Sequence, residues 1–228
     1  AWERYSTVSP TELGVSSAEL ELTPRSATTD ASDCLRPCGG PVRLTRHVEV
    51  DGAGARLSWT VHNGGNLDLE LGGFGASMPF NQMFTGRSLS NVAEHCSFVE
   101  PYLGRGAGYV QVTRATGDGP VLLVLPDAGE FEAWRPLKQE DRANYDWMHE
   151  MLYEIVFHSK AYAQTDWRQG QPWNEPTSTV LRAGERAEFA VRLRLAHSVE
   201  TVHEALLAAG VPVATPLPSS SMHVDDGG

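Results

Sequence analysis

The stretch LSWTVHNGGNLDLELGGFGASMPFN, residues 57–81, sets the fold class. Leu57, Trp59 and Val61 alternate with Ser58, Thr60 and His62, and Leu67, Leu69 and Leu71 alternate with Asp68 and Glu70. Period two with apolar residues on one side is the pattern of a half-buried β-strand. Asn63-Gly64-Gly65-Asn66 between the two runs tolerates positive φ, so the expectation is a β-hairpin. The glycines from Gly72 to Gly75 then raise a choice between a phosphate cradle and a bent strand. A phosphate loop needs Gly-Lys-Ser/Thr opening a helix, whereas Ala76-Ser77-Met78-Pro79 follows here. The same test fails Gly104-Arg105-Gly106-Ala107-Gly108, which runs into a period-two segment rather than the helix of a dinucleotide fingerprint. Both are read as places where a strand bends as it crosses from one sheet to the other.

The pattern recurs along the chain. Tyr109 to Thr113 alternates, and Thr116-Gly117-Asp118-Gly119-Pro120 turns it into Val121 to Leu125, apolar on both sides like a central strand. Met151, Tyr153, Ile155 and Phe157 share one face. After Ala183-Gly184-Glu185, Phe189, Val191, Leu193 and Leu195 alternate with Ala190, Arg192, Arg194 and Ala196. Short strands between Gly/Pro turns predict an all-β, antiparallel β-sandwich. One helix is expected at the C-terminal end, with Ser198 as N-cap, Val199, Val202, Leu206 and Ala209 on one stripe, and Gly210 as the stop. Residues 1–40 read as a strand and loop region of the same domain, with a short strand near Glu19 to Leu22. Residues 41–197 read as the sandwich core, and 198–228 as helix and linker toward a further C-terminal domain. Ala1 at the start and Pro216 to Gly228 at the end read as the bounds of a domain cut from a longer chain.

Hydrophobic residues form 41% of the 228-residue chain and charged residues 21%, enough apolar content for a real core. The net charge of −11 disfavours a nucleic-acid partner, since a phosphate backbone would be repelled. No apolar run approaches the roughly 20 residues of a membrane helix, so no membrane partner is expected. Of the three cysteines, Cys34 and Cys38 sit in a Gly/Pro loop and could close a short bridge in an oxidising, extracytoplasmic setting. Neither a metal site nor a cofactor is expected, because no recognised ligand spacing is present.

The segment from Asp127 to Glu175 differs in kind. It holds four of the six tryptophans, together with Glu130, Glu132, Glu140, Asp146, Glu150 and Asp166. Flat aromatic rings beside carboxylates and amides suit sugars, whose C–H faces stack while hydroxyls find polar partners. The candidate ligand-binding residues are Trp134, Trp147, Trp167, Trp173, Asn174 and Glu175, joined by Phe80 and Asn81 from the Gly-rich crossing. The competing reading is that these rings cap the open ends of the sandwich. An epimerase would need a Glu base and a His acid, for which Glu175 with His149 or His158 is the candidate pair. Catalytic residues are otherwise not assignable.

Residues 61–81, GAGYVQVTRATGDGPVLLVLPDAG (106–129) and QPWNEPTSTVLRAGERAEFAVRLRLAHSVETV (171–202) together resemble an uncharacterised bacterial and fungal family of large proteins. Its members resemble sugar-processing enzymes built from a galactose-mutarotase-like β-sandwich followed by an (α/α)6 toroid. The resemblance covers Val61 to Pro216. It implies that this chain is a supersandwich half that faces carbohydrate and packs on an (α/α)6-type domain of the same parent, without catalysing a reaction alone. A free-standing mutarotase or epimerase and a structural spacer are the alternatives.

Overall fold

The structure, a computed structural model, describes residues 5–7, 16–22, 42–78, 80–82, 84–136 and 153–213. The larger layer is an antiparallel sheet of eight strands. These are β1 (Tyr5–Thr7), β2 (Ser16–Leu22), β3 (Val42–Asp51), β4 (Gly54–Asn63), β7 (Ser97–Tyr102), β8 (Tyr109–Arg114), β9 (Val121–Ala128) and β13 (Arg186–Ala196). Their spatial order is β1-β2-β3-β4-β13-β9-β8-β7. The facing layer has two small sheets. One is β10 (Ala133–Pro136), β11 (Tyr153–His158) and β6 (Phe74–Ser77); the other pairs β12 (Thr179–Leu181) with β5 (Leu69–Leu71). Trp59, Val61, Val112, Val124, Phe189 and Val191 from the large sheet meet Leu69, Leu71, Ala76, Ile155, Phe157 and Leu181 from the small ones. The chain is therefore an all-β sandwich with a C-terminal helix, as its periodicity predicts.

The helix α3 (Val202–Ala208) explains the apolar run of β9. It packs on the outer face of the large sheet, where Val202 and Leu206 join Val121, Leu123, Leu125 and Ala196 in a second core. Of the predicted stripe only Val202 and Leu206 are buried; Val199 opens a 3-10 turn, and Ala209 is exposed. Ser198 and Thr201 close a reciprocal capping box at the entry. On β13, Leu195 is 63% exposed while Ala190 and Ala196 are buried, a departure from the expected apolar face, because α3 covers the far side of the sheet at this end. Two short helices have no counterpart in the sequence reading, α1 (Leu89–His95) and α2 (Lys160–Gln164).

The expected hairpin across Asn63-Gly64-Gly65-Asn66 does not form. β4 pairs with β3 and β13, and β5 pairs with β12 in the opposite layer. Asn63 is the reason. Its fully buried carboxamide donates to the carbonyls of Leu67 and Leu181 and accepts from the Gly65 amide. This Asx turn lifts the chain out of the large sheet and pins it to β12. The glycines that follow serve close approach. At Gly72 the carbonyl accepts from Ala161 N at 2.7 Å, and a Cβ at Gly75 would lie 2.8 Å from the Glu154 carboxylate. The chain thus crosses from the β5 pair to the β6 sheet, as the glycines suggest. Gly104 to Gly108 instead closes the hairpin of β7 and β8 within one sheet.

Candidate functional site

An aromatic cavity lies where β10 and β11 meet α2 and the loop after it. It has a volume of about 380 Å³ and is lined by Trp134, Trp167 and Trp173 with Asp166, Gln171 and Asn174. Each ring is set differently. Trp134 on β10 stacks on Tyr153 of β11, centroids 5.2 Å apart and 11° from parallel. Trp167 leans on Tyr162, with its amide bonded to the Tyr162 carbonyl at 2.8 Å. Tyr162 in turn carries the Arg135 guanidinium over its face at 3.8 Å, and Arg135 is ion-paired to Glu154 and Asp166. A cation held between a ring and two carboxylates fixes the loop against the sheet. Trp173 is 94% exposed.

Beneath the cavity lies a polar staple. The Glu132 carboxylate is 4% exposed and accepts four bonds. Its Oε2 takes Ser159 N at 2.8 Å, Ser159 Oγ at 2.7 Å and Thr177 N at 3.2 Å, and its Oε1 takes the Thr177 hydroxyl. Thr177 Oγ1 lies 2.7 Å from His158 Nδ1, so the imidazole proton sits on Nδ1 and points at the hydroxyl. Burial holds the His158 pKa below its usual value of 6.5, against the opposing pull of Glu132. Asn174 Nδ2 donates to the Glu132 carbonyl at 2.7 Å. Three of these bonds converge on Oε2 and one on Oε1. Glu132 therefore ties β10 to the end of β11 and to the loop carrying Trp173 and Asn174.

Four of the predicted residues, Trp134, Trp167, Trp173 and Asn174, line one cavity. Glu175 follows them but is exposed and does not line the cavity. Phe80 packs against the main core. Asn81 donates to the His95 carbonyl and accepts from Arg87, beyond the cavity lining. Trp147 and His149 lie outside the described residues, as do Cys34 and Cys38; Cys96 is buried, and its Sγ accepts from Arg87. The carboxylate beside His158 is that of Glu132, 3.9 Å away, rather than Glu175. Sequence reading names Glu132 only as one of several acids in its segment and does not single out Ser159 or Thr177; the one hint is a Glu inside the apolar run Phe131 to Trp134. Among the described residues no group of His, Cys, Asp and Glu is placed to hold a metal ion, and no helix is long and apolar enough to cross a membrane.

A family model matches residues 1–226. The chain belongs to DUF5695. DUF5695 is described as a family of unknown function, and its match extends beyond the segment that carries the sequence resemblance. No curated protein matches this DUF5695 chain in sequence. Among solved structures the chain is similar to a polysaccharide lyase, with a TM-score of 0.55 and 14% identity over 73% of the chain. It spans 22% of the length of that lyase. It is also similar to a galactose mutarotase-like protein from Lactobacillus casei (TM-score 0.41, 13% identity, 84% of this chain and 73% of the other). A second such protein, from Clostridium acetobutylicum, gives a TM-score of 0.44 at 8% identity over 85% of this chain and 67% of the other. At these identities the likeness to the lyase is one of fold.

Proposed function

We propose that the chain is a carbohydrate-facing β-sandwich module of a larger polysaccharide-processing protein, and that the aromatic cavity is its sugar contact. The observation that carries this reading is the convergence of Trp134, Trp167 and Trp173 on one cavity beside Asp166, Gln171 and Asn174. Indole faces supply stacking surface for sugar C–H groups, and the amides and carboxylate supply hydroxyl partners. Covering roughly 80–100 Å² of the Trp173 ring at about 25 cal/mol per Å² contributes about 2 kcal/mol, or about 30-fold in affinity. On this reading the module binds rather than catalyses, and the buried carboxylate next to the imidazole serves structure, engaged by four hydroxyl and amide donors of its own chain. Residues 41–197 are then the sandwich core and 198–228 the helix and linker toward an (α/α)6-type partner domain. The small share of the lyase that this sandwich covers supports a modular parent.

The test is intrinsic tryptophan fluorescence of the chain titrated with a panel of mono- and oligosaccharides, repeated with Trp173→Ala and Trp167→Ala. A saturable shift that weakens about 30-fold in Trp173→Ala is expected. A folded chain that responds to no sugar would sink the reading and leave Trp173 as a docking residue for a neighbouring domain.

A further inference from the structure

The outer face of the large sheet holds a second hollow, about 210 Å³, lined by Arg43, Thr45, His47, Thr60, His62 and Arg186. Strand register builds it. Arg43 on β3 and Arg186 on β13 stand on either side of His62 on β4, and Thr45 stands opposite Thr60 on the next rung. Side chains directly opposite on one face approach within about 5 Å, so each arginine flanks His62 and β4 separates the two. Yet neither arginine has an ion-pair partner among the described residues, in a chain with 29 acidic residues.

The neighbouring arginines of the same face behave differently. Arg56 is paired with Asp127 and Glu188, and Arg192 with Asp127. Glu188, opposite Thr60 in register and so nearest the hollow on β13, is drawn to Arg56. Glu185 turns back to the amide of Arg182. Glu188 and Glu185, the acids beside the hollow on β13 and the turn before it, are thus committed elsewhere, and two guanidinium forks, two imidazoles and two hydroxyls line the hollow. Arginine forks match planar and tetrahedral oxyanions bidentately, and threonine hydroxyls supply further donors.

We infer that this hollow is an oxyanion site that takes the carboxylate or sulfate group of an acidic polysaccharide. The polysaccharide source rests on the carbohydrate reading above; the oxyanion chemistry rests on the hollow alone. Because the whole chain carries −11, binding depends on this local patch and falls steeply with salt.

The experiment is calorimetric titration of the full chain with trigalacturonate, a sulfated galactose trisaccharide and a neutral galactose trisaccharide. It compares wild type with Arg43→Gln/Arg186→Gln and with Glu21→Gln. Glu21 stands opposite Arg43 in backbone register on β2 and serves as the charge control. At least one acidic trisaccharide is expected to bind wild type and to weaken at least tenfold in the double arginine variant. Glu21→Gln should bind it as tightly as wild type or tighter. Which of the two acidic probes binds separates carboxylate from sulfate. Equal affinity in the arginine variant, loss of binding in Glu21→Gln, or no binding of either acidic probe overturns the proposal. Arginine-dependent binding with no response to neutral oligosaccharides would instead remove only the aromatic-cavity reading. Removing two exposed cations should leave the melting temperature unchanged, which checks that the variant is folded.

Discussion

Replacing Glu132 separates a structural carboxylate from a reactive one. In Glu132→Gln, the amide oxygen can take the Oε2 position and keep Ser159 N, Ser159 Oγ and Thr177 N as donors. The amide NH2 then faces Thr177 Oγ1, which accepts from it and turns its own proton to His158 Nδ1 as the imidazole passes to its Nε2–H tautomer. The loss is that of bonds to a charged acceptor in favour of bonds to a neutral one, about 1–2 kcal/mol. Glu132→Ala is harsher. The hydroxyls of Ser159 and Thr177 can rotate, but the two amide N–H groups cannot, and Ser159 is 2% exposed. Two stranded buried donors plus a small void cost about 3–5 kcal/mol. Urea unfolding at neutral pH reads both; for a chain of this size the alanine variant should also melt roughly 10 °C lower. An alanine variant within 1 kcal/mol of wild type would refute the account, because Glu132 would then not be held by four donors.

His158 gives a pH signature. Its folded pKa is depressed below 6.5, so the unfolded chain binds the proton first as pH falls. Its contribution is fully present above pH 6.5 and is lost as pH drops through the folded value. Wild type should therefore lose more stability between pH 7.5 and 5.5 than His158→Gln, and equal losses would contradict the buried neutral imidazole. Asn63→Asp puts a carboxylate oxygen against the carbonyls of Leu67 and Leu181. It should cost about 3–5 kcal/mol in urea unfolding, with partial recovery at acid pH where the group protonates; a neutral effect would deny the Asx turn its place at the sheet crossing. Gly129→Ala sets a Cβ 2.9 Å from Phe157 Cδ1 at a residue with φ of 88°. About 2–4 kcal/mol should be lost, read as a lower calorimetric melting temperature, and an unchanged one would mean that the core gives way there.

The strands of the large sheet are legible in the sequence because one of their faces is buried and period two survives in β3, β4 and β13. Connections are less so. The composition of Asn63 to Asn66 is that of a local turn, while the partner that decides its path, Leu181, lies 118 residues away. The helix α1 buries no side chain and so leaves no apolar stripe to find; Ser88 capping Asn91 N is its only local cue. The site divides the same way. Trp167, Trp173 and Asn174 come together because one short loop carries them, and Trp134 joins through its strand pairing with β11. Phe80 and Asn81 follow β6 away toward α1, where Asn81 holds the His95 carbonyl. The staple around Glu132 is written 27 and 45 residues apart, in single serine and threonine hydroxyls that carry no pattern.

The central claim is that three tryptophans meet one sugar. Two-dimensional ¹H–¹⁵N spectra resolve the indole N–H signals, and stepwise addition of the oligosaccharide that quenches fluorescence tests it residue by residue. The account predicts that the signals of Trp134, Trp167 and Trp173 shift together along one binding curve, while Trp59, buried in the main core, stays still. Shifts confined to other residues, with the three cavity signals unmoved at saturation, would contradict it.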